Sequence, residues 1–197
     1  QAIFFYFFGI NWQSYIFHAS LFNAILTIST FFVLRNFNLK IYYSFFYSLL
    51  FSILAYPSSG TPFVDHHSSF FSLLGIYSLI LGIKNEKKIY WILLPILLGF
   101  GFLSKQVPSA YVIISTILIL LFFSIYQKKY YWIKYSLISS FAFICFLLLF
   151  GKFQGIQIYS FLEQYIFYPQ TIGDLRINTY KPTLNGVIFH FKFIYLS

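Results

Sequence analysis

The segment Val107–Tyr126, whose sequence is VPSAYVIISTILILLFFSIY, holds 20 residues without one charged side chain. A helix needs about 20 predominantly apolar residues to cross the hydrocarbon core of a bilayer. The segment therefore predicts a transmembrane helix, and it indicates the class to which the whole chain belongs.

Further apolar runs lie on both sides of this segment and are separated by polar stretches. They are Ser14–Leu34, Ile41–Tyr56, Ser68–Ile83, Ile89–Leu103, Trp132–Phe150 and Leu184–Ser197. Several runs are shorter than a span and would include flanking Tyr, Trp and Ser, which suit the membrane interface. We therefore predict an all-α, polytopic transmembrane helical bundle of about six to seven spans. Residues 1–197 would form part of one transmembrane domain, with no soluble domain.

The composition agrees with a lipid environment. The chain is 59% hydrophobic and 9% charged, whereas a soluble domain has about 25% charged residues. The net charge of +9 does not indicate nucleic-acid binding, because the cations lie between apolar runs and form no single patch. The sequence has no Met and stops inside the apolar run Val187–Ser197, so we expect the bundle to be incomplete at both ends.

The distribution of charge predicts the orientation of the bundle. The connections after the first, third and fifth runs contain eight Lys or Arg residues and one acidic residue. The even-numbered connections contain four Lys or Arg residues and three acidic residues. Cytoplasmic loops carry an excess of Lys and Arg. We therefore expect the even-numbered connections to face the periplasm or lumen, with a bacterial inner or plasma membrane as the location.

The most informative polar stretch is YPSSGTPFVDHHSSF, residues 56–70. Its proline and glycine residues break a helix, so Asp65, His66 and His67 lie where a new helix begins. Asp65 could cap that helix, with the histidines merely at the interface. Alternatively, Asp65 and His67 could point the same way in an extended segment and hold a Mn²⁺- or Mg²⁺-like cation with additional oxygen ligands.

Other polar residues are predicted on the same side of the membrane. Lys105 lies in a very short turn, where it either extends to interfacial water or binds a phosphate. The long connection Gly151–Thr183 contains Glu163, Asp174 and Arg176, and long connections are often functional. Arg176 could clamp a phosphate or carboxylate, while Glu163 or Asp174 could act as a base or pair with Arg176.

A third polar group lies at the outer end of the first apolar run. Asn11, Ser14 and His18 are spaced by three and four residues, so they share one helical face. These side chains could line a cavity or form a hydrogen-bonded cluster between helices.

Two stretches resemble the C-type multi-spanning glycosyltransferases, which include protein O-mannosyltransferase-like proteins and bacterial lipid A sugar transferases. Phe8–Trp12, leading into Ser14–Asn23, looks like the second span of that superfamily. Gly60–His67 is similar to the second acidic motif of archaeal oligosaccharyltransferase catalytic subunits. The resemblance implies Asp65 and His67 as ligands of a divalent Mn or Mg ion. In metal-independent members, Asp65 would orient sugar hydroxyls instead.

The resemblance also implies a reaction and its partners. Such enzymes transfer a sugar from a polyprenyl-phosphate donor in the membrane lipid to a glycolipid, glycan or protein acceptor on the periplasmic or lumenal face. Lys105, Arg176, His66 and Glu163 are then candidates for substrate binding. The general base is expected upstream of Gln1, so this chain alone should be inactive. The alternative is a transporter or flippase for a lipid-linked or anionic substrate, which would need polar residues deep within the spans.

Overall fold

The computed structural model describes the backbone of residues 2–55 and 64–179, and the side chains of residues 4–55 and 66–173. Within these ranges every regular element is helical. The helices are α1 (Ala2–Phe8), α2 (Trp12–Asn36), α3 (Ile41–Ala55), α4 (Val64–Asn85), α5 (Lys88–Ser104), α6 (Gln106–Tyr126), α7 (Tyr131–Phe153), α8 (Ile158–Leu162) and α9 (Tyr168–Thr179), and a π-helical turn, Glu163–Phe167, joins the last two. The all-α prediction is confirmed for the described residues.

Four of the described helices are long and apolar enough to cross a membrane. They are α2, the His66–Asn85 part of α4, α6 and α7. Helices α3 and α5 are apolar but shorter. The prediction of membrane-spanning helices is therefore supported, whereas the predicted run Leu184–Ser197 lies outside the described residues.

The chain forms two compact units, Gln1–Phe143 and Ile144–Ser197, called here the first and second units. The first unit contains α1 to α6 and the beginning of α7. The second unit contains the end of α7 and the helices that follow it.

Helix α4 is the most buried of the four long helices, and its small residues explain why. Ser68, Ser72 and Ser78 are buried on it. A Cβ atom added at Gly75 would lie 2.6 Å from Cδ2 of Leu98 on α5, so only glycine permits this approach of the two helices. Small residues let helices pack closely in lipid, where apolar side chains give no hydrophobic driving force for association.

Side-chain hydrogen bonds join α4 and its neighbours. The hydroxyls of Thr30 on α2 and Tyr77 on α4 lie 2.8 Å apart. Ser78 Oγ on α4 donates to the main-chain oxygen of Tyr90 on α5 at 2.7 Å. Each such bond in a membrane bundle stabilises by about 0.6 kcal/mol on average, so together they fix the register of the helices.

The densest apolar packing surrounds α5. Trp91 of α5 and Trp132 of α7 are both fully buried, and their rings stack with centroids 4.7 Å apart. Pro95 lies inside α5 and has no N–H to donate to the main-chain oxygen of Trp91. Ser136 Oγ of α7 donates to that oxygen instead, at 3.3 Å. The helix therefore continues through the proline without an unsatisfied carbonyl group.

At one end of the first unit, the connections that follow α2, α4 and α6 meet. Asn85 Nδ2 donates to Asn36 Oδ1 at 3.0 Å, and Lys84 donates to the main-chain oxygen of Asn36. Lys129 forms an ion pair with Glu86. The three cation-rich connections that were predicted to share one side therefore do lie together, and this end is called the basic end below.

The second unit differs from the sequence prediction. The connection Gly151–Thr183 was expected to be a loop, but the chain is helical from Ile158 to Thr179. The loop prediction is therefore wrong over this range. It was based on apolar runs alone, and this helical segment is too polar to form one.

Candidate functional site

The start of α4 and the turn between α5 and α6 lie together at the end of the first unit opposite the basic end. Ser68 Oγ donates to the main-chain oxygen of Lys105 at 3.2 Å. The hydroxyls of Ser68 and Ser109 are 2.5 Å apart, and Ser72 is within 3.1 Å of Ser109. All three serines are buried. This network holds the Lys105 turn against Ser68, and Ser68 directly follows His67 in the chain.

His66 and His67 line a cavity of about 210 Å³ between α2, α3 and α4. Its other polar lining residues are Asn23 and Ser69, and the remaining lining residues are apolar. Asn23 Nδ2 donates to the main-chain oxygen of Ser52 at 3.2 Å and to its hydroxyl at 3.1 Å, which fixes α3 against α2. The cavity thus has apolar walls and imidazole groups from the first turn of α4, an arrangement that suits an amphiphile.

His67 is held in a triangle of aromatic rings. Its ring centroid lies 5.2 Å from that of His18 and 5.1 Å from that of Phe22, and the rings of His18 and Phe22 are 4.5 Å apart. Phe70 packs on Phe22 at 4.7 Å. His18 is only 2% exposed, and its Nδ1 has no hydrogen-bond partner among the described residues. A buried polar nitrogen of this kind needs an explanation, because it lowers stability.

Asn11 and Ser14 do not share the environment of His18. Asn11 caps α2 by accepting a hydrogen bond from the Ser14 amide at 2.7 Å, and Ser14 Oγ donates to the main-chain oxygen of Phe8 at 2.8 Å. These bonds connect the end of α1 to the start of α2. The two residues are therefore a local cap, and only His18 of the predicted face reaches α4.

The proposed metal pair meets a backbone that the sequence analysis did not expect. Asp65 and His67 were placed in an extended segment, but α4 already begins at Val64. Residues two apart on a helix do not face each other, so the extended geometry is wrong. Among the side chains that the structure describes, no group of three or more His, Cys, Asp or Glu residues could hold a metal. Because the side chain of Asp65 lies outside those described, the predicted divalent-metal site of Asp65 and His67 stays a prediction.

The other predicted site residues lie in different surroundings. Lys105 is exposed at its turn, where it ends α5 and begins α6. Glu163 is exposed at the first position of the π-helical turn in the second unit. Arg176 and Asp174 lie on α9, and their side chains are outside the described residues. The structure thus brings His66, His67 and the Lys105 turn to one end of the first unit.

Two parts of the site were missed by sequence reasoning. Phe22 and Asn23 line the cavity, although both belong to an apolar span and were given no role. Phe22 lies four residues after His18 and therefore on the same helical face. That spacing was a signal for the ring contact, but the partner on α4 depends on which helices are neighbours.

No protein-family model, curated protein or solved structure matches this chain. The class is therefore defined by the fold and the cavity themselves. The described residues form an all-helical bundle with four helices able to cross a membrane and a mostly apolar cavity with two lining histidines at the start of α4.

Proposed function

We propose that this chain is part of a membrane glycosyltransferase that transfers a sugar from a polyprenyl-phosphate donor to an acceptor on the extracytoplasmic face. The observation that supports it most is the hydrogen bond to the Lys105 turn from Ser68, the residue that follows the Asp-His-His segment. The resemblance to C-type glycosyltransferases supplies the reaction. The cavity suits a donor of this kind, because its walls are apolar and imidazoles line it.

The direction of the helices supports six crossings within residues 12–153. Asn36 and Asn85 meet at the basic end, so the chain between them must return to the opposite end before α4 begins. The Lys105 turn meets Ser68 at that opposite end, so α5 also runs from one end to the other. We therefore propose that the shorter helices α3 and α5 cross the bilayer.

The side of the membrane follows from the same arrangement. Eight cations lie in the three odd-numbered connections, and these connections share the basic end. By the preference of Lys and Arg for the cytoplasmic side, the basic end is cytoplasmic and the cavity faces the periplasm or lumen. A bacterial inner or plasma membrane is the proposed location.

In the proposed reaction, the residues of this chain bind and orient the donor. The exposed ammonium group of Lys105 and the imidazole groups of His66 and His67 offset the negative charge of the phosphate leaving group. Fixed positive or hydrogen-bonding groups aimed at developing charge are an effective means of catalysis. The base that activates the acceptor is not assigned to a residue of this chain, and no step is routed through a metal ion.

The test is glycan transfer in membranes by the protein in its full natural length, with variants Asp65→Asn and Lys105→Ala. Each change should lower transfer by about 10-fold or more, because it removes a charged group from the proposed site. Lys40→Ala is the matched control, since Lys40 is an exposed cation in a connection at the basic end, and this variant should transfer normally. Normal transfer by both site variants would refute the proposal.

A further inference from the structure

The residue that the proposed function leaves unused is His18. It lies behind His67, is almost completely buried and has an Nδ1 without a hydrogen-bond partner among the described residues. It does not line the cavity, but it packs against two residues that do, Phe22 and His67. The His18 and His67 rings are in contact, with centroids 5.2 Å apart and planes 39° from each other, so His18 can act on a ligand of the cavity by orienting His67.

The chemistry of the surrounding residues favours an anionic ligand. At this end the described cation is Lys105, whose turn meets the start of α4. Among the described side chains of the first unit the carboxylate, that of Glu86, lies at the basic end, while the side chain of Asp65 lies outside the described residues. A neutral imidazole offers one N–H donor. The buried ring of His18 fixes the plane of that imidazole, and its polar nitrogen adds a dipole beside the donor.

We propose that His18 is a positioning residue for His67, and that His67 donates a hydrogen bond to the phosphate head group of a lipid whose chain enters the apolar part of the cavity. The class of lipid, a polyprenyl phosphate, is taken from the proposed function, on which this inference therefore rests. The aromatic triangle of His18, Phe22 and His67 fixes the imidazole, and the apolar walls between α2 and α3 accept the chain.

The test measures binding to the purified chain in detergent, with a polyprenyl phosphate and the polyprenol of the same chain length as probes. The wild-type chain should bind the phosphate about 10-fold or more tightly than the alcohol, which is the effect of one good hydrogen bond to a charged group. His18→Phe keeps a ring in the triangle but removes both nitrogens. It should abolish most of this preference and leave binding of the alcohol unchanged.

Two further variants separate positioning from packing. Phe22→Leu disturbs the same triangle without removing a nitrogen, so it should weaken binding of both probes by a similar factor. His18→Gln retains a polar group and should restore part of the preference. Equal binding of the two probes by the wild-type chain, or an equal loss of both in His18→Phe, would overturn the proposal.

Competition and chelation identify the ligand more closely. Inorganic phosphate at the same concentration should not displace the lipid, because it gains nothing from the apolar walls, and full displacement would assign the site to free phosphate instead. EDTA should leave the preference unchanged, whereas its loss would mean that a cation contacts the head group. Selective binding without any glycan transfer in membranes would refute the proposed function and leave the assignment of His18 intact.

Discussion

Pro95 removes one backbone hydrogen bond from the middle of α5, and a serine of a neighbouring helix replaces it. In lipid no water is present to satisfy the carbonyl group that a proline releases, so a side chain must do so. Ser136 donates to the main-chain oxygen of Trp91, and Ser139 donates to that of Ile92 at 2.6 Å. A hydroxyl of α7 thus allows a proline inside α5.

We predict that Ser136→Ala lowers the free energy of unfolding by about 1 kcal/mol, because a buried carbonyl group loses its donor. Ser140→Ala is the matched control, since Ser140 bonds within its own helix, to the main-chain oxygen of Ser136, and it should cost less. The measurement is reversible unfolding in mixed micelles. Adding Pro95→Ala restores the backbone donor and should reduce the cost of Ser136→Ala, so an unchanged cost would contradict this explanation.

A second effect at the scale of single residues concerns Glu86, in the connection between α4 and α5. The hydrogen bond from Lys129 holds the pKa of the Glu86 carboxyl below its usual value. Because the folded-state pKa is depressed, this pair stabilises the fold above the unfolded-state pKa. The contribution is lost as the pH falls through the folded-state pKa.

We predict that Lys129→Gln raises the pKa of Glu86, because it removes the main cause of the depression. The carboxyl carbon shift of Glu86, followed by NMR against pH, measures the midpoint directly. Lys128→Gln removes a neighbouring cation of the same connection and should leave the midpoint nearly unchanged. Equal shifts in the two variants would mean that general charge, rather than the specific hydrogen bond, controls this carboxyl.

At the scale of the helix, α4 organises the first unit through small residues. Its buried serines bond to α6 and its glycines admit side chains of α5. At Gly75 the Leu98 side chain occupies the space that a Cβ atom would need. The close packing of α4 against its neighbours therefore depends on small side chains at these positions.

Gly75→Ala should destabilise the first unit by about 1–3 kcal/mol through overpacking against Leu98. Gly151→Ala is the control, because Gly151 also lies in a helix and its added Cβ would meet nothing within 4 Å; it should be neutral or slightly stabilising. Unfolding of both variants under identical conditions is the measurement. Adding Leu98→Ala to Gly75→Ala makes room for the new methyl group, so the two changes together should cost less than the sum of their separate effects.

The helix boundaries show what a sequence pattern can and cannot provide. The apolar run Ile89–Leu103 predicted α5 to within one residue at each end, because charged or polar residues flank it. The helical segment from Ile158 to Thr179 was missed, since it lacks a continuous apolar face that would mark it. The extended geometry assumed for Asp65 and His67 was also wrong, because α4 starts before them.

At the scale of the whole molecule, the alternation of charge predicted which connections lie together. The basic end gathers the connections after α2, α4 and α6, and the Lys105 turn meets Ser68 at the opposite end. The alternation of sides could be predicted because consecutive helices of the bundle run in opposite directions. The ring triangle around His67 could not, because it depends on α2 packing against α4 rather than on any spacing within one helix.

The sidedness can be tested with single cysteines. Cys145 is the one cysteine of the chain, so Cys145→Ser gives a background without thiols. In intact cells, a membrane-impermeant thiol reagent should label Lys105→Cys and not Lys40→Cys, whereas permeabilised cells should allow labelling of both. Labelling of Lys40→Cys alone in intact cells would reverse the orientation and place the cavity on the cytoplasmic side.

The stacked indoles of Trp91 and Trp132 give the molecule an optical signal of its own assembly. The chain has three tryptophans, and the third, Trp12, is 65% exposed, whereas the stacked pair is fully shielded. Two indoles in contact couple their electronic transitions, and shielding from water moves their fluorescence towards shorter wavelengths. If the protein keeps its helicity in a detergent but loses these two spectral features, α5 has separated from α7. Spectra alone can therefore select the preparation in which ligand binding is worth measuring.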